Sequence, residues 1–288
     1  MTTILAQLRV KHYIKNALVF LPLVFSMNLM DLASLAQATL IFVAFCAASS
    51  GIYVVNDILD APKDRLHPRK KLRPIASGAM EPRAGAVLAA VCIVVGFALA
   101  GSVNLAAALV LTFYLLINAL YSIWLKHIVL VDVFCVMSGF LLRVAAGAVA
   151  IGVPLSGWLM LTIMALSLFM AFGKRRGELR LLTKNAGYTR GVLSKYSDAF
   201  LDRAMYSMLT LSAAFYALWA IDRETVSRVG TEYLIWTAPL VIAGLLRYAY
   251  RVENGLGDGD PTNVLFADKP LLCIIIAYIV AVGVIVYV

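Results

Sequence analysis

Three carboxylates and an amide crowd one segment, NDILDAPKDRLHPRKKLRP, residues 56–74. Asn56, Asp57, Asp60 and Asp64 stand at i, i+1, i+4 and i+8. On a helix Asp57, Asp60 and Asp64 share one face, and like charges held that close repel. A hard divalent cation removes the conflict. Magnesium takes oxygen ligands, keeps several waters and is often shared with substrate phosphates. The segment therefore predicts Mg2+ on Asn56, Asp57, Asp60 and Asp64, with a diphosphate as the shared anion. Arg65, Lys70 and Arg73 follow as candidates to hold phosphate oxygens, arginine by its bidentate fork. Arg69 and Lys71 fit equally well the plainer task of fixing orientation in a membrane. Pro62 ends or bends the helix, in which case Asp64 comes from a turn.

Four other groups carry charge where chemistry needs it. GKRRGELR, 173–180, is a basic triad of Lys174, Arg175 and Arg176 with Glu178 among it. It reads as an anion site or as a topogenic cluster. YSIWLKHIVLVD, 121–132, brings Tyr121, Lys126 and Asp132, and Lys126 either binds an anion or snorkels at the interface. Arg143 lies deep in an apolar run, GFLLRVAAG. A central arginine costs about 2.5–3.5 kcal/mol on insertion scales. It therefore faces the interior of the protein, lining a cavity or held in a salt bridge. In RYAYRVENGLGDGDPTNVLFADKP, 247–270, Asp258, Asp260 and Asp268 either close over a polar substrate or belong to a plain loop.

The elements that must position these groups are membrane helices. The 288 residues are 62% hydrophobic and only 14% charged, with a mean hydropathy of +0.88. A soluble domain carries about 25% charged residues, so a soluble globule is excluded. Apolar runs near 16–30, 33–55, 84–102, 105–124, 129–151, 156–173, 204–221, 232–250 and 270–287 predict about nine spans. The first is short and holds Pro22, which predicts a kink or partial insertion. Of 25 Lys and Arg residues, all but Arg143, Arg223 and Arg228 fall on one side once the N-terminus is placed in the cytoplasm. The long polar connections, near 56–83, 174–203 and 251–269, gather on that side too. The net charge of +9 thus reflects topology, and nucleic acid is not expected as a partner. Cys46, Cys92, Cys135 and Cys273 stand singly in apolar runs and read as packing residues. The N-terminal stretch has no apolar core ahead of its charges, unlike a cleaved signal peptide. Small residues as in AAGAVAIG permit close helix contact, within one chain or in a homo-oligomer.

These motifs resemble the UbiA superfamily of intramembrane prenyltransferases along nearly the whole chain. NDILDAPKD matches its first aspartate-rich motif, and YSIWLK its tyrosine–lysine segment. QLRVKHYIKNALVFLPLVFS, GKRRGELRLL and GDGDPTNVLFADKPL resemble the decaprenyl-phosphate phosphoribosyltransferase branch. Relatives that prenylate aromatic acceptors carry a second acidic motif where this chain has GKRRGEL. The resemblance implies an all-α, single-domain bundle over 1–288, about nine transmembrane helices around a central cavity open to the cytoplasm. It implies a multi-pass protein of the cell (inner) membrane and a magnesium-dependent transfer of phosphoribose from phosphoribosyl pyrophosphate to a polyprenyl phosphate. The lipid phosphate would lie near Lys174, Arg175 and Lys126, with Lys15 and Asn16 contributing. Tyr121, Arg143 and Glu178 complete the implied substrate-binding set. Two other readings remain open from the residues alone: an aromatic prenyltransferase using a prenyl diphosphate, and a non-catalytic lipid transporter or binding protein.

Overall fold

The computed structural model describes residues 2–66, 70–183, 192–255 and 261–288. Arg69, Asp258 and Asp260 lie outside the described residues. Every regular element among the described residues is helical. Among the described residues eight helices are long and apolar enough to cross a membrane, which makes this a multi-pass membrane protein of the all-α class. They are α3 (Leu32–Leu66), α4 (Pro82–Val103), α5 (Leu105–Ile123), α6 (Val131–Ile151), α7 (Gly157–Thr183), α8 (Asp198–Ile221), α10 (Ala238–Glu253, extended by the 3-10 turn Tyr233–Thr237) and α12 (Lys269–Tyr287). Short helices α1 (Thr2–Leu8), α2 (Leu21–Phe25), α9 (Arg223–Val229) and α11 (Pro261–Ala267) connect or flank them.

The run expected as the first span, 16–30, is broken. A 3-10 helix covers Val10–Phe20, α2 is five residues long, and Met27 turns the chain with φ 63°. Pro22 has no N–H to continue a helical ladder from the preceding turn. The 3-10 repeat has a consequence: residues three apart eclipse one another. Tyr13, Asn16 and Val19 therefore form one edge, and Asn16 and Val19 are buried while the Tyr13 hydroxyl lies 2.9 Å from Ser50 Oγ. Asp31 then starts α3 by accepting the Ser34 N–H at 2.9 Å.

The chain forms two compact units. The first takes the segments up to Leu23, Asp31–Ile123 and Leu142–Val153. Its core includes Val19, Ile41, Phe45, Leu111, Tyr114 and Ala146. Here α3 and α4 pack at close range through small residues: a Cβ on Gly96 would stand 3.0 Å from the Ala44 carbonyl oxygen. The closest approach is at Gly147 of α6, where a Cβ would fall 2.0 Å from the backbone oxygen of Val19. Gly147→Ala is expected to cost about 1–3 kcal/mol through overpacking. Gly101→Ala, where nothing lies within 4 Å, should be neutral or slightly stabilising. Thermal unfolding of both variants in detergent checks the pair.

The second unit takes Val24–Met30, Trp124–Leu141 and Pro154–Val288. In it α7 packs along α8, and α10 joins both. Phe169, Leu201, Met205, Leu245 and Tyr248 fill its core.

Candidate functional site

The acid cluster belongs to the first unit. Helix α3 runs straight through Pro62 to Leu66, so Asp57, Asp60 and Asp64 all lie on helix, on one face. Asp57 and Asp64 are buried, Asp60 and Asn56 half-buried. Arg73, just past the 3-10 turn Lys70–Leu72, ties the two buried acids together. Its Nη1 reaches Asp57 Oδ1 at 3.0 Å and Asp64 Oδ2 at 2.6 Å. Arg65 points elsewhere, donating at 3.4 Å to the Ala76 carbonyl, and is exposed. Lys70 is half-buried.

Two further residues join the cluster that sequence reasoning had not singled out. Arg9 forms an ion pair with Asp57, and Gln7 Nε2 donates to Asp57 Oδ2 at 3.0 Å. Arg9 adopts the left-handed conformation, φ 53° and ψ 48°, a costly choice for a residue with a Cβ. Its guanidinium lies 4.8 Å from the centre of the Tyr53 ring. The only sequence signal for either residue was the polar QLR ahead of the first apolar run.

Does this cluster suit a magnesium ion? Among the described residues no three His, Cys, Asp or Glu gather as a metal cage. Magnesium does not need one, since one or two carboxylates, waters and substrate phosphates suffice. Asp57 and Asp64 already converge on one cationic nitrogen of Arg73. An all-oxygen pair focused on a single positive charge fits the ion.

The same unit holds Arg143, only 5% exposed. Its Nε donates to Asn16 Oδ1 at 2.6 Å and its Nη2 to the Tyr114 hydroxyl at 3.0 Å. The guanidinium also lies 4.8 Å from the Tyr114 ring centre and 5.8 Å from that of Phe45. Asn16 in turn donates to Cys46 Sγ at 3.2 Å and Ser49 Oγ at 3.4 Å. The broken first segment and α6 thus meet through this arginine. Lys15 and Tyr121 are half-buried.

The basic group belongs to the second unit, and it is not a bare positive patch. Arg175 is buried, with Nε on Asp132 Oδ2 and Nη1 on Glu178 Oε2, both at 2.7 Å. Arg176 pairs with Asp202 at 2.7 Å and Asp198 at 3.2 Å. Lys174 is half-buried, and Lys126 is buried on the 3-10 turn Leu125–His127. Asp132 sits in the first turn of α6, where the helix dipole favours an anion.

Tyr196 completes this network, again without a sequence signal. Its hydroxyl donates to Asp132 Oδ1 at 2.8 Å and accepts the Leu130 N–H at 2.7 Å. Leu130 is held at φ 68°, so the phenol secures a strained corner between Lys126 and α6. Burial pushes the Tyr196 phenol from 10 up to about 12; the Asp132 carboxylate adds to the rise and the Leu130 N–H opposes it. A raised folded-state value gives stability that is full below pH 10 and lost as pH climbs through about 12. Wild-type protein should therefore lose stability relative to Tyr196→Phe across that window, as alkaline unfolding curves will report.

Asp268 is a helix cap. It accepts the Leu271 N–H at 2.8 Å at the start of α12 and two bonds from Arg247, at 3.0 and 2.9 Å. The Arg247 bonds hold its carboxyl below the usual carboxylate range.

Residues 18–267 match the UbiA prenyltransferase family. The chain is 34% identical to decaprenyl-phosphate phosphoribosyltransferase of Mycolicibacterium smegmatis, covering 97% of this chain and 91% of that protein. It is 35% identical to the protein of the same name from Corynebacterium glutamicum, over 98% and 86% of the respective chains. Among solved structures, a UbiA homolog from Archaeoglobus fulgidus bound to GPP and Mg2+ superposes with a TM-score of 0.73. That likeness covers 99% of this chain and 100% of the other at 19% identity.

Proposed function

The chain belongs to the UbiA prenyltransferase family, and on that premise we propose that it moves 5-phosphoribose from phosphoribosyl pyrophosphate to a polyprenyl phosphate, releasing diphosphate. The observation that carries the reading is the likeness, along 97% of the chain, to a relative bearing the name of that reaction. Lys174 on α7 and Lys126 agree with it, since an anionic acceptor calls for cations beyond the arginines that Asp132, Glu178, Asp198 and Asp202 already balance.

Asn56, Asp57, Asp60 and Asp64 would hold magnesium, which supplies neutralisation of charge on the diphosphate. The chain's own groups bind and orient. Arg73, with Arg65 and Lys70, takes phosphate oxygens of the sugar donor, and Arg73 exchanges a carboxylate partner for them. Lys174, Arg175 and Lys126 take the lipid phosphate, with Lys15 and Asn16 contributing. Glu178 orients Arg175, and Arg143 orients Asn16. Tyr121 belongs to the same substrate-binding set. An oxygen of the lipid phosphate attacks ribose C1. The C1–O bond to diphosphate breaks, and its electron pair leaves with the diphosphate. A phosphate anion needs no proton removed, so no general base is required. Positioning supplies much of the rate. The site faces the cytoplasm of a cell (inner) membrane, on the side where the basic residues gather.

The deciding assay uses purified protein with labelled phosphoribosyl pyrophosphate and a polyprenyl phosphate. Magnesium-dependent entry of label into lipid is expected. Label entering product only from a prenyl diphosphate and an aromatic acid would overturn the reading.

A further inference from the structure

Gln7 holds an unexplained atom at the acid cluster. Its side chain is fully buried, at 0% exposure. Nε2 donates to Asp57 Oδ2, while Oε1 of the same amide has no hydrogen-bond partner among the described residues. Turning the amide over does not help. The oxygen would then face a carboxylate, which only accepts. Neither guanidinium of the cluster donates to Oε1: Arg9 is turned to Asp57, and Arg73 to Asp57 and Asp64. Buried acceptors are nearly always satisfied, so an orphan beside charged groups marks a donor still to arrive.

The chemistry of that donor is restricted. Phosphate and diphosphate oxygens are acceptors at neutral pH and would worsen the mismatch. An O–H group fits. A ribosyl diphosphate carries hydroxyls on C2 and C3 of its ring, whereas the hydrocarbon of a prenyl diphosphate carries none. We infer that Gln7 is a specificity-determining residue whose Oε1 accepts a hydrogen bond from a ribose hydroxyl of the donor, next to Asp57. The inference rests on the phosphoribosyl reading above and sharpens it. It assigns the choice between sugar and prenyl donors partly to α1, outside the aspartate-rich motif. A site built to bond a hydroxyl discriminates strongly against an analogue lacking it.

Calorimetry on the purified full chain with magnesium tests this. The ligands are phosphoribosyl pyrophosphate, its 2-deoxy and 3-deoxy analogues, and inorganic pyrophosphate. Wild-type protein should bind the parent sugar roughly tenfold tighter than one of the deoxy analogues. Gln7→Met should erase that gap, the parent falling relative to the deoxy analogue; any loss that comes through Asp57, which Gln7 Nε2 supports, falls on parent, analogue and pyrophosphate alike. Equal binding of parent and both analogues by wild type would overturn the inference, and that comparison needs no variant to fold. A gap between parent and deoxy analogue that persists in Gln7→Met would also overturn it, placing the acceptor of that hydroxyl on another group. Wild type that binds a prenyl diphosphate but no phosphoribosyl pyrophosphate would overturn the phosphoribosyl reading itself, and this inference with it.

Discussion

Asp57→Asn is expected to reduce phosphoribosyl transfer roughly a thousandfold or more while the protein still folds and inserts. Asparagine keeps the size and one acceptor oxygen but loses the charge and turns an NH2 toward other donors. Asp57 accepts from Gln7, Arg9 and Arg73, so this one change strips the cluster of its central anion. Folding should tolerate it. Arg73 retains Asp64, and the side chains of Arg9 and Arg73 are 21% and 27% exposed, so water can reach them. Turnover of purified enzyme, paired with magnesium-dependent pyrophosphate binding, measures the effect. Near-normal values of both would remove Asp57 from the metal site.

Asp132→Ala should have the largest effect on stability, about 3–5 kcal/mol. Asp132 is fully buried and Arg175 is 3% exposed. Deleting the acid takes a buried carboxylate away from Arg175 and the acceptor away from Tyr196. The penalty comes from the stranded cation, so removing both charges should be milder. Asp132→Leu combined with Arg175→Met should recover most of the stability and still show a raised KM for polyprenyl phosphate. Unfolding in detergent with added denaturant reports the first outcome and steady-state kinetics the second. A double variant as unstable as Asp132→Ala would show that the pair is not what holds this corner.

What was readable in the sequence follows the range of each interaction. The acids of α3 announced themselves because their spacing is local and one helix face collects them. Arg143 stood out because a charge in an apolar run has no cheap surroundings. The interior of each apolar run was also plain, and α5, α6 and α12 match the expected spans within two residues of each end. Gln7 and Arg9 were not visible. They meet Asp57 across 50 and 48 residues, and no spacing rule connects residues so distant. Tyr196, 64 residues from Asp132, was hidden for the same reason. The first run, short and holding Pro22, is broken in line with the kink expected there, but its 3-10 winding was not legible because hydropathy counts apolar side chains and is blind to whether the backbone can close an α-helical ladder. GKRRGEL looked like an open basic patch because composition shows the cations but not the distant Asp132, Asp198 and Asp202 that balance two of them.

Helix α3 is 35 residues long, about 52 Å at 1.5 Å per residue, against about 30 Å of hydrocarbon in a bilayer. A single continuous helix thus carries an apolar shaft and the acids at its tip, Pro62 included. Azimuth is consequently locked to sequence count. One residue inserted in the shaft would advance the tip by only about 1.5 Å but swing every acid through about 100°, away from Arg9 and Arg73. Loops elsewhere in the chain can grow or shrink over generations; this shaft can exchange its residues but not change their number.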